Sequence, residues 1–335
     1  MSDTFVPISS VFDKVSAYFS LGPLLEDPVL ISVGRLSNNE VWRLKTRSGS
    51  YALKRMSSES EEICRENEKI VKNFQNSGLS SVISFPKGSC LYGSYFFQLF
   101  DWIIGEKLVS EKITTKQTKI VGSLLANLHI HALDPSKLDL AVLNNSFHSC
   151  TYSYDKDLWT DVLNKAILLG IKESDQLKSL ALLLMETAEK SNIAAMQLLS
   201  SCIIGHRDIS PNNVLWKTKE QPVVLDWELS GLIHPTTEVI GTAFDWSVVN
   251  STQVDEHRYQ KLVREYVRSG GILSQVRLAF KALMGVWLNW FLYSLGKFVG
   301  GKDSIARVAE YEAIHTLLTF KKIYNNQEKW ISLLR

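Results

Sequence analysis

The sequence predicts an α+β protein in two parts, a small antiparallel β-sheet with one helix followed by a larger, mostly helical part. Three observations support this fold class. Short strand-like runs separated by turn residues fill residues 30–100. From residue 106 onward, apolar residues repeat mostly at helical spacing. One hairpin-like segment, residues 202–228, interrupts these helices, and the domain boundary is placed between residues 104 and 105.

The first part begins with a short amphipathic helix at 11–19 and continues as strands. Turn residues such as Arg47-Ser48-Gly49 and Gly93-Ser94 separate runs that are rich in apolar and aromatic side chains. The strands are predicted at 30–33, 41–45, 51–55, 88–92 and 95–100.

One helix, at 59–76, is predicted between the third and fourth strands. Its inward face is defined by apolar residues at helical spacing, namely Ile63, Ile70, Val71 and Phe74. Glu66 shares that face, whereas Glu61 and Glu68 are predicted to point away. Glu66 is therefore the first candidate to pair with Lys54 on the third strand, and Glu62 is the second.

The second part is predicted to contain helices at 115–131, 156–169, 175–199, 253–269, 273–298 and 304–323. In the first of them we interpret His129 as a structural histidine rather than a catalytic base. The most apolar window, 282–295, is flanked by Lys281 and Lys297. It is shorter than the roughly 20 residues that span a bilayer, so it is predicted to be a buried helix.

The segment at 202–228 contains the candidate catalytic and metal-binding residues. An apolar pair at 203–204 is typical of a short buried strand, and His-Arg-Asp follows at 206–208 in a loop. Pro211 prevents this loop from continuing as the interior of a helix. Asp208 lies in this loop, five residues before Asn213.

Two apolar runs, 214–216 and 223–225, predict a hairpin directly after the loop. Symmetric pairing about its turn places Val214 opposite Leu225 and Asn213 opposite Asp226. Directly opposed residues lie only about 4.5–5.5 Å apart at the Cα atoms. An amide oxygen and a carboxylate that close together suit Mg²⁺, which takes few protein ligands.

This order of residues is the pattern His-x-Asp-x-x-x-x-Asn followed by a metal-binding Asp, as in protein kinases. Here, however, Asp226 continues as Trp227-Glu228, and neither Asp-Phe-Gly nor Ala-Pro-Glu is present. With Leu-Ala-Asn-Leu-His at 125–129, the chain resembles the aminoglycoside phosphotransferase and choline kinase-like family, which has a two-lobed protein-kinase-like fold. The resemblance extends from about residue 31 to about residue 245. Arg207 departs from it, because that family usually has a small residue there, often Gly.

The resemblance implies transfer of the γ-phosphoryl group from ATP or GTP to the hydroxyl of a small molecule, with Mg²⁺ as cofactor. It implies that Asp208 is the catalytic base and that Asn213 and Asp226 bind Mg²⁺. Glu228 follows two residues later and either supports a second metal or is a surface carboxylate. His206 is expected to brace the loop through the backbone.

The first lobe, 1–104, is then the nucleotide-binding lobe including the hinge, and 105–335 holds the catalytic loop and the acceptor site. Lys54, in Tyr-Ala-Leu-Lys, matches the lysine that binds the α- and β-phosphates in kinases, with Glu66 holding it in place. The turn containing Ser37 and Asn38 is expected to cover the phosphates with backbone N–H groups. Adenine is expected to contact the hinge, with Phe100, Trp102 and Ile103 as candidates, although Trp102 is equally a core residue.

The acceptor is either an aminoglycoside-type antibiotic or an amino-alcohol or sugar metabolite. Residues 229–335 hold nine acidic against thirteen basic side chains, which gives a polycationic aminoglycoside no support. Four carboxylates are candidates to bind an acceptor amine: Glu238, Asp245, Asp255 and Glu256.

Composition places the chain among ordinary globular proteins, with 45% hydrophobic residues, 21% charged residues and a net charge of +2 over 335 residues. No basic run indicates nucleic acid, and no segment indicates a membrane span. Four cysteines without a Cys-x-x-Cys pair indicate neither a zinc site nor disulfides. The first residues lack signal-peptide features, so a cytoplasmic location is expected.

Two other hypotheses stay open at this point. A protein kinase is supported only by Arg207 and is disfavoured by the two missing motifs. A nucleotide-binding scaffold without turnover is disfavoured because Lys54, Asp208 and Asp226 are all present.

Overall fold

The structure is a computed structural model that describes residues 8–37, 39–135, 154–250 and 253–334. The chain folds as two compact units, the first ending at Gly105 and the second beginning at Glu106. The first unit is a sheet with two helices and the second is mostly helical, so the predicted α+β class is confirmed.

The first unit is a five-stranded antiparallel sheet in the order β1-β2-β3-β5-β4. Its elements are α1 (Ile8–Tyr18), β1 (Val29–Val33), β2 (Glu40–Thr46), β3 (Gly49–Ser57), α2 (Glu61–Asn73), β4 (Pro86–Tyr92) and β5 (Tyr95–Asp101). The five predicted strands are all present, because alternating apolar residues and turn residues specify them locally.

The two faces of this sheet are covered by different helices. Phe12 and Val15 of α1 pack on the face that carries Leu53 and Phe97. On the other face, Cys64 of α2 packs against strand residues Met56 and Phe96. Because side chains alternate along a strand, Lys54 lies on the face covered by α2.

Helix α2 buries Ile70 and Val71, as predicted, but its inward face also contains residues that were not predicted. Its buried residues include Cys64 and Asn67, whereas Ile63 is only half-buried. Glu68 accepts a hydrogen bond from the amide of Gln98 at 2.7 Å, so the prediction that Glu68 points away is wrong. Cys64 and Asn67 complete the inward stripe, and an apolar pattern built on Ile63 did not reveal it.

The second unit contains eight described helices. They are α3 (Thr115–Ile130), α4 (Lys156–Leu168), α5 (Ser174–Leu198), α6 (Pro235–Asp245), α7 (Glu256–Arg268), α8 (Val276–Gly300), α9 (Asp303–Asn325) and α10 (Gln327–Ser332). The six predicted helices are present with shifted ends. Helices α6 and α10 were not predicted.

Short strands hold the loops of this unit together. They are β6 (Glu106–Lys107), β7 (Ile203–Gly205), β8 (Val214–Thr218), β9 (Gln221–Val224), β10 (Gly231–Ile233), β11 (Val248–Asn250) and β12 (Gln253–Val254). The predicted hairpin is β8-β9, which β6 extends to three strands. The predicted strand at 203–204 is β7, which pairs with β10.

Helix α8 is long and apolar enough to cross a membrane by length and composition alone. Half of its most apolar window is nevertheless buried inside the structure, and the helix packs against α5 and α9. This burial is typical of the core helix of a folded unit.

Candidate active site

The hairpin β8-β9 pairs one residue out of the predicted register. Val214 lies opposite Val224 and not opposite Leu225, because the pairing shifts at an irregularity between Trp216 and Thr218. The backbone carbonyl of Asn213 accepts from the N–H of Leu225 at 2.8 Å. The predicted opposition of Asn213 and Asp226 is therefore wrong, and Asp226 follows the paired region in a left-handed conformation with φ 59°.

Asp208 is oriented by Asn213, which ends a short 3-10 turn at Pro211–Asn213. The Asn213 side-chain N–H group donates to the Asp208 carboxylate at 2.6 Å and to the Asp208 backbone carbonyl at 3.1 Å. Since both donor contacts use the amide nitrogen, the amide oxygen is the group of Asn213 that can bind a cation.

His206 braces the loop through the backbone, as the sequence predicted. Its Nε2 lies 2.9 Å from the carbonyl of Leu225, and the Asp208 N–H donates to its Nδ1 at 3.2 Å. A carbonyl only accepts and an N–H only donates, so this arrangement requires the neutral imidazole with hydrogen on Nε2. Burial lowers the pKa of His206, which favours the same neutral form. The Trp227 ring packs edge-on against it, with ring centroids 4.6 Å apart.

A buried carboxylate from α6 supports the same loop. Glu238 accepts from the backbone N–H of Arg207 at 2.6 Å and lies 3.0 Å from Nε2 of His129. The other imidazole nitrogen of His129 lies 2.8 Å from the hydroxyl of Tyr266. The prediction that His129 is structural is confirmed, and the suggestion that Glu238 binds an acceptor amine is not supported, because its side chain is buried and fully engaged.

This role of Glu238 was not predicted, because α6 was not predicted. The available signal was Pro235, which occupies the first turn of the helix, a position where proline is favoured. The left-handed backbone of Arg207, with φ 70°, was also missed.

The remaining acceptor candidates differ in how they are used. Asp255 caps α7 and pairs with Arg258, and Glu256 pairs with Lys329. Asp245 is partly buried at the end of α6. Burial raises the pKa of the Asp245 carboxyl well above its ordinary value, and the charge of Asp208 raises it further. Asp245 is thus the candidate that faces the catalytic loop.

The end of α6 is anchored to that loop by its next residue. The indole N–H of Trp246 donates to the carbonyl of Ile209 at 2.7 Å, and both residues are buried. The helix end that carries Asp245 is therefore fixed next to the residue that follows Asp208.

In the first unit, Lys54 is half-buried on β3 and lies directly opposite Gln98 of β5. The carboxylate of Glu66 contacts Lys69 of its own helix, so the structure gives Glu66 a partner other than Lys54. Glu68 is the carboxylate that reaches Gln98. The pairing of Glu66 with Lys54 stays a prediction.

The other predicted nucleotide contacts occupy a turn and the segment after β5. Ser37 is exposed and its hydroxyl accepts from the N–H of Asn39 at 3.4 Å, while Asn38 lies outside the described residues. Phe100, Trp102 and Ile103 are half-buried. The Trp102 N–H donates to the carbonyl of Ser50 at 3.1 Å, so this N–H is already paired.

The donor set near Asp208 fits Mg²⁺. Asn213 offers an amide oxygen, Asp226 an exposed carboxylate and Glu228 a half-buried one, and hard oxygens are the ligands that Mg²⁺ prefers. Within the described ranges, no group of three or more His, Cys, Asp or Glu residues forms a metal cluster. An ion held by one or two protein carboxylates and completed by phosphates needs no such cluster.

Comparison with known proteins relates both sequence and structure to one enzyme group. A model of the phosphotransferase enzyme family matches residues 30–269. A search of curated protein sequences finds no match. Spectinomycin phosphotransferase APH(9)-Ia, solved with ADP and spectinomycin, is similar with a TM-score of 0.67 and 14% identity over 98% of both chains.

Two further solved structures share the fold. An aminoglycoside phosphotransferase from Alicyclobacillus acidocaldarius has a TM-score of 0.58 and 14% identity over 98% of both chains. Plasmodium vivax ethanolamine kinase has a TM-score of 0.56 and 15% identity over 88% of this chain and 83% of its own. These likenesses confirm the fold that the sequence resemblance implied.

Proposed function

Because the chain belongs to the phosphotransferase enzyme family and is a small-molecule kinase, we propose that Asp208 is its catalytic base. The reaction is transfer of the γ-phosphoryl group of ATP or GTP to a hydroxyl, with Mg²⁺ as cofactor. The observation that carries this proposal is the 2.6 Å hydrogen bond from Asn213 to the Asp208 carboxylate. It holds a carboxylate in one orientation in a loop, as a positioned base requires.

The chemistry is an exchange of one phosphorus–oxygen bond for another. The acceptor oxygen forms a bond to the γ-phosphorus while the bond from that phosphorus to the bridging oxygen breaks. The nucleoside diphosphate leaves with the electron pair, and the acceptor proton passes to Asp208. Such a reaction asks the protein mainly for positioning and charge neutralisation.

Asn213 and Asp226 are proposed to hold Mg²⁺, with Glu228 as a supporting carboxylate. When bound, the ion neutralises negative charge on the β- and γ-phosphates. His206 and Asn213 keep the loop and the hairpin end in register through the contacts to Leu225. In the first unit we assign the α- and β-phosphates to Lys54 and the adenine to the segment around Trp102.

For the acceptor, Asp245 is the residue that we assign. No hydrogen bond or ion pair occupies its carboxylate among the described residues, and it lies within the influence of Asp208. A hydroxyl or an amine of the acceptor would therefore satisfy it. The acceptor class is an aminoglycoside-type antibiotic, as in resistance, or an amino-alcohol or sugar metabolite. The location that we propose is the reducing cytoplasm, where buried thiols such as those of Cys64, Cys90 and Cys202 are common.

The test is nucleotide consumption by the purified chain with Mg²⁺ and ATP or GTP across aminoglycosides, other hydroxylated antibiotics, choline, ethanolamine and sugars. Asp208→Ala is expected to lower turnover by about 10²–10⁴-fold. The control is Asp175→Ala, since the Asp175 side chain is 97% exposed. With the acceptor identified, Asp245→Asn is expected to raise its KM about tenfold, as for a lost charged hydrogen bond. Acceptor-dependent consumption that survives in Asp208→Ala would refute the assignment of the base.

A further inference from the structure

A continuous path of hydrogen bonds runs from α7 through α3 and α6 to the catalytic loop. We propose that Tyr266, His129 and Glu238 form a buried positioning chain that fixes the loop backbone at Arg207. This positioning chain ends at the backbone N–H of Arg207, one residue before Asp208, and so sets the direction of the Asp208 carboxylate. Its effect on turnover rests on the proposed function, whereas its effect on the loop backbone does not.

The loop needs such support because Arg207 adopts a left-handed conformation, with φ 70°. A residue with a Cβ atom is disfavoured there relative to the right-handed region. The strain persists only when surrounding contacts hold the backbone. One contact that holds it is the 2.6 Å hydrogen bond from the Arg207 N–H to the Glu238 carboxylate.

Glu238 can serve this purpose only while it is ionised and paired, since its side chain is 2% exposed. Burial alone would raise the pKa of its carboxyl. The hydrogen bond and charge of His129 and the Arg207 N–H outweigh burial and hold the pKa below its ordinary value. The two carboxylate oxygens thus have separate tasks, one binding the loop and the other binding α3.

His129 connects this carboxylate to α7. Its Nε2 carries hydrogen, because a carboxylate only accepts, and its Nδ1 lies 2.8 Å from the Tyr266 hydroxyl. Burial and then the charge of Glu238 raise the pKa of Tyr266, which keeps the phenol protonated. Two other histidines lie near this positioning chain. Besides His129 and the Arg207 N–H, His206 lowers the pKa of Glu238. Burial and then the charge of His129 lower the pKa of His234.

Two glycines provide the space that the chain requires. A Cβ atom at Gly205 would lie 2.0 Å from the Glu238 carboxylate, so the strand next to the loop must lack a side chain there. A Cβ atom at Gly122 would lie 2.3 Å from the carbonyl of Leu262, so α3 and α7 approach closely. This approach brings His129 within reach of Tyr266.

Helix α7 offers a matched pair of tyrosines for the test. Tyr259 and Tyr266 are both buried, at 0% and 1% exposure. Within the part of the chain that the structure describes, the Tyr266 hydroxyl contacts His129, whereas the Tyr259 hydroxyl has no hydrogen-bond partner. Tyr266→Phe and Tyr259→Phe therefore each remove one phenolic hydroxyl. The hydroxyl of Tyr266 belongs to the positioning chain, whereas the hydroxyl of Tyr259 does not.

The experiment is hydrogen exchange of the purified protein, with the exchange rate measured at the backbone amide of Arg207. Tyr266→Phe is expected to speed exchange at this amide about fivefold, and Glu238→Gln about tenfold or more, in line with the loss of a neutral or charged hydrogen bond. Tyr259→Phe is expected to stay within about twofold of the unsubstituted chain. Where turnover is measurable, Tyr266→Phe lowers kcat and leaves the KM for Mg-nucleotide unchanged.

Unchanged exchange at Arg207 in Tyr266→Phe would overturn the proposal, as would equal effects of the two tyrosine substitutions. If Glu238→Gln fails to fold, the tyrosine pair alone decides. An unsubstituted chain that consumes no nucleotide would instead count against the proposed function, because the exchange measurement needs neither acceptor nor turnover.

Discussion

The loop that carries Asp208 and the strand that carries Lys54 are supported in different ways. Asp208 is oriented by Asn213, five residues away, and by His206, two residues away. Lys54 lies in the middle of a nine-residue strand between β2 and β5. The face of the sheet that carries Lys54 is covered by α2. This helix contacts the sheet through the hydrogen bond between Glu68 and Gln98, which are 30 positions apart in the sequence. The hydrogen bonds made by Asp208 itself are thus local in sequence, whereas the surroundings of Lys54 depend on distant packing.

The largest effect that would test this comparison is at Lys54. Lys54→Met removes the charge proposed to bind the phosphates and is expected to lower turnover by about 10²-fold, as for a lost electrostatic donor. Steady-state nucleotide consumption measures it. Lys45→Met on the neighbouring strand is the control, because that side chain is 51% exposed and pairs with Glu26. Equal activity of both variants would remove Lys54 from the site.

The next effect concerns the space beside Glu238. Gly205→Ala is expected to lower the free energy of unfolding by about 2 kcal/mol, because the new Cβ atom collides with a buried carboxylate. Gly296→Ala in α8 meets no atom within 4 Å and is expected to raise it by up to about 1 kcal/mol. Denaturant unfolding of both variants measures the difference. A Gly205→Ala variant as stable as the unsubstituted chain would show that the carboxylate moves freely.

The pH dependence of stability provides a smaller effect at the same carboxylate. The pKa of Glu238 is held below its ordinary value of 4.5, so the unfolded chain binds its proton first as the pH falls. Its contribution is complete above that ordinary value and is lost as the pH falls through the folded-state pKa, by at most about 1.4 kcal/mol per pH unit. Glu238→Gln is expected to flatten the unfolding free energy in this acid window. Parallel curves for the two proteins would contradict the pairing.

The smallest effect separates the two carboxylates of α2. Glu68→Ala breaks the hydrogen bond from Gln98 and is expected to cost about 1 kcal/mol of unfolding free energy. Glu66→Ala breaks an ion pair within the helix surface and is expected to cost about 0.3 kcal/mol. Thermal unfolding of the two variants ranks them. A larger loss in Glu66→Ala would restore Glu66 as the supporting residue.

The strands of the first unit, six helices and the hairpin β8-β9 were predicted from the sequence, because each depends on a local pattern. The prediction failed on the hairpin register, where an irregularity between Trp216 and Thr218 shifts the pairing. It also missed part of the inward face of α2, because an apolar pattern does not reveal the buried Asn67.

The support of the catalytic loop was beyond local reasoning for a similar reason. The contact between His129 and Glu238 joins residues 109 positions apart, and both are polar residues buried in the second unit. Sequence periodicity assigns Glu to the surface, because a charge is tolerated in the interior only when it is paired and hydrogen-bonded, and periodicity does not reveal the pairing. The partners become visible only when α3, α6 and α7 are placed together.

Asp208 is proposed to take the proton of an acceptor hydroxyl as that hydroxyl is phosphorylated. The most direct measurement is mass spectrometry of the acceptor pool after incubation with Mg-nucleotide and either the unsubstituted chain or Asp208→Ala. We expect the acceptor to gain one phosphoryl group with the unsubstituted chain and almost none with Asp208→Ala, while both proteins bind nucleotide equally. Phosphorylated acceptor formed at the same rate by both proteins would contradict it.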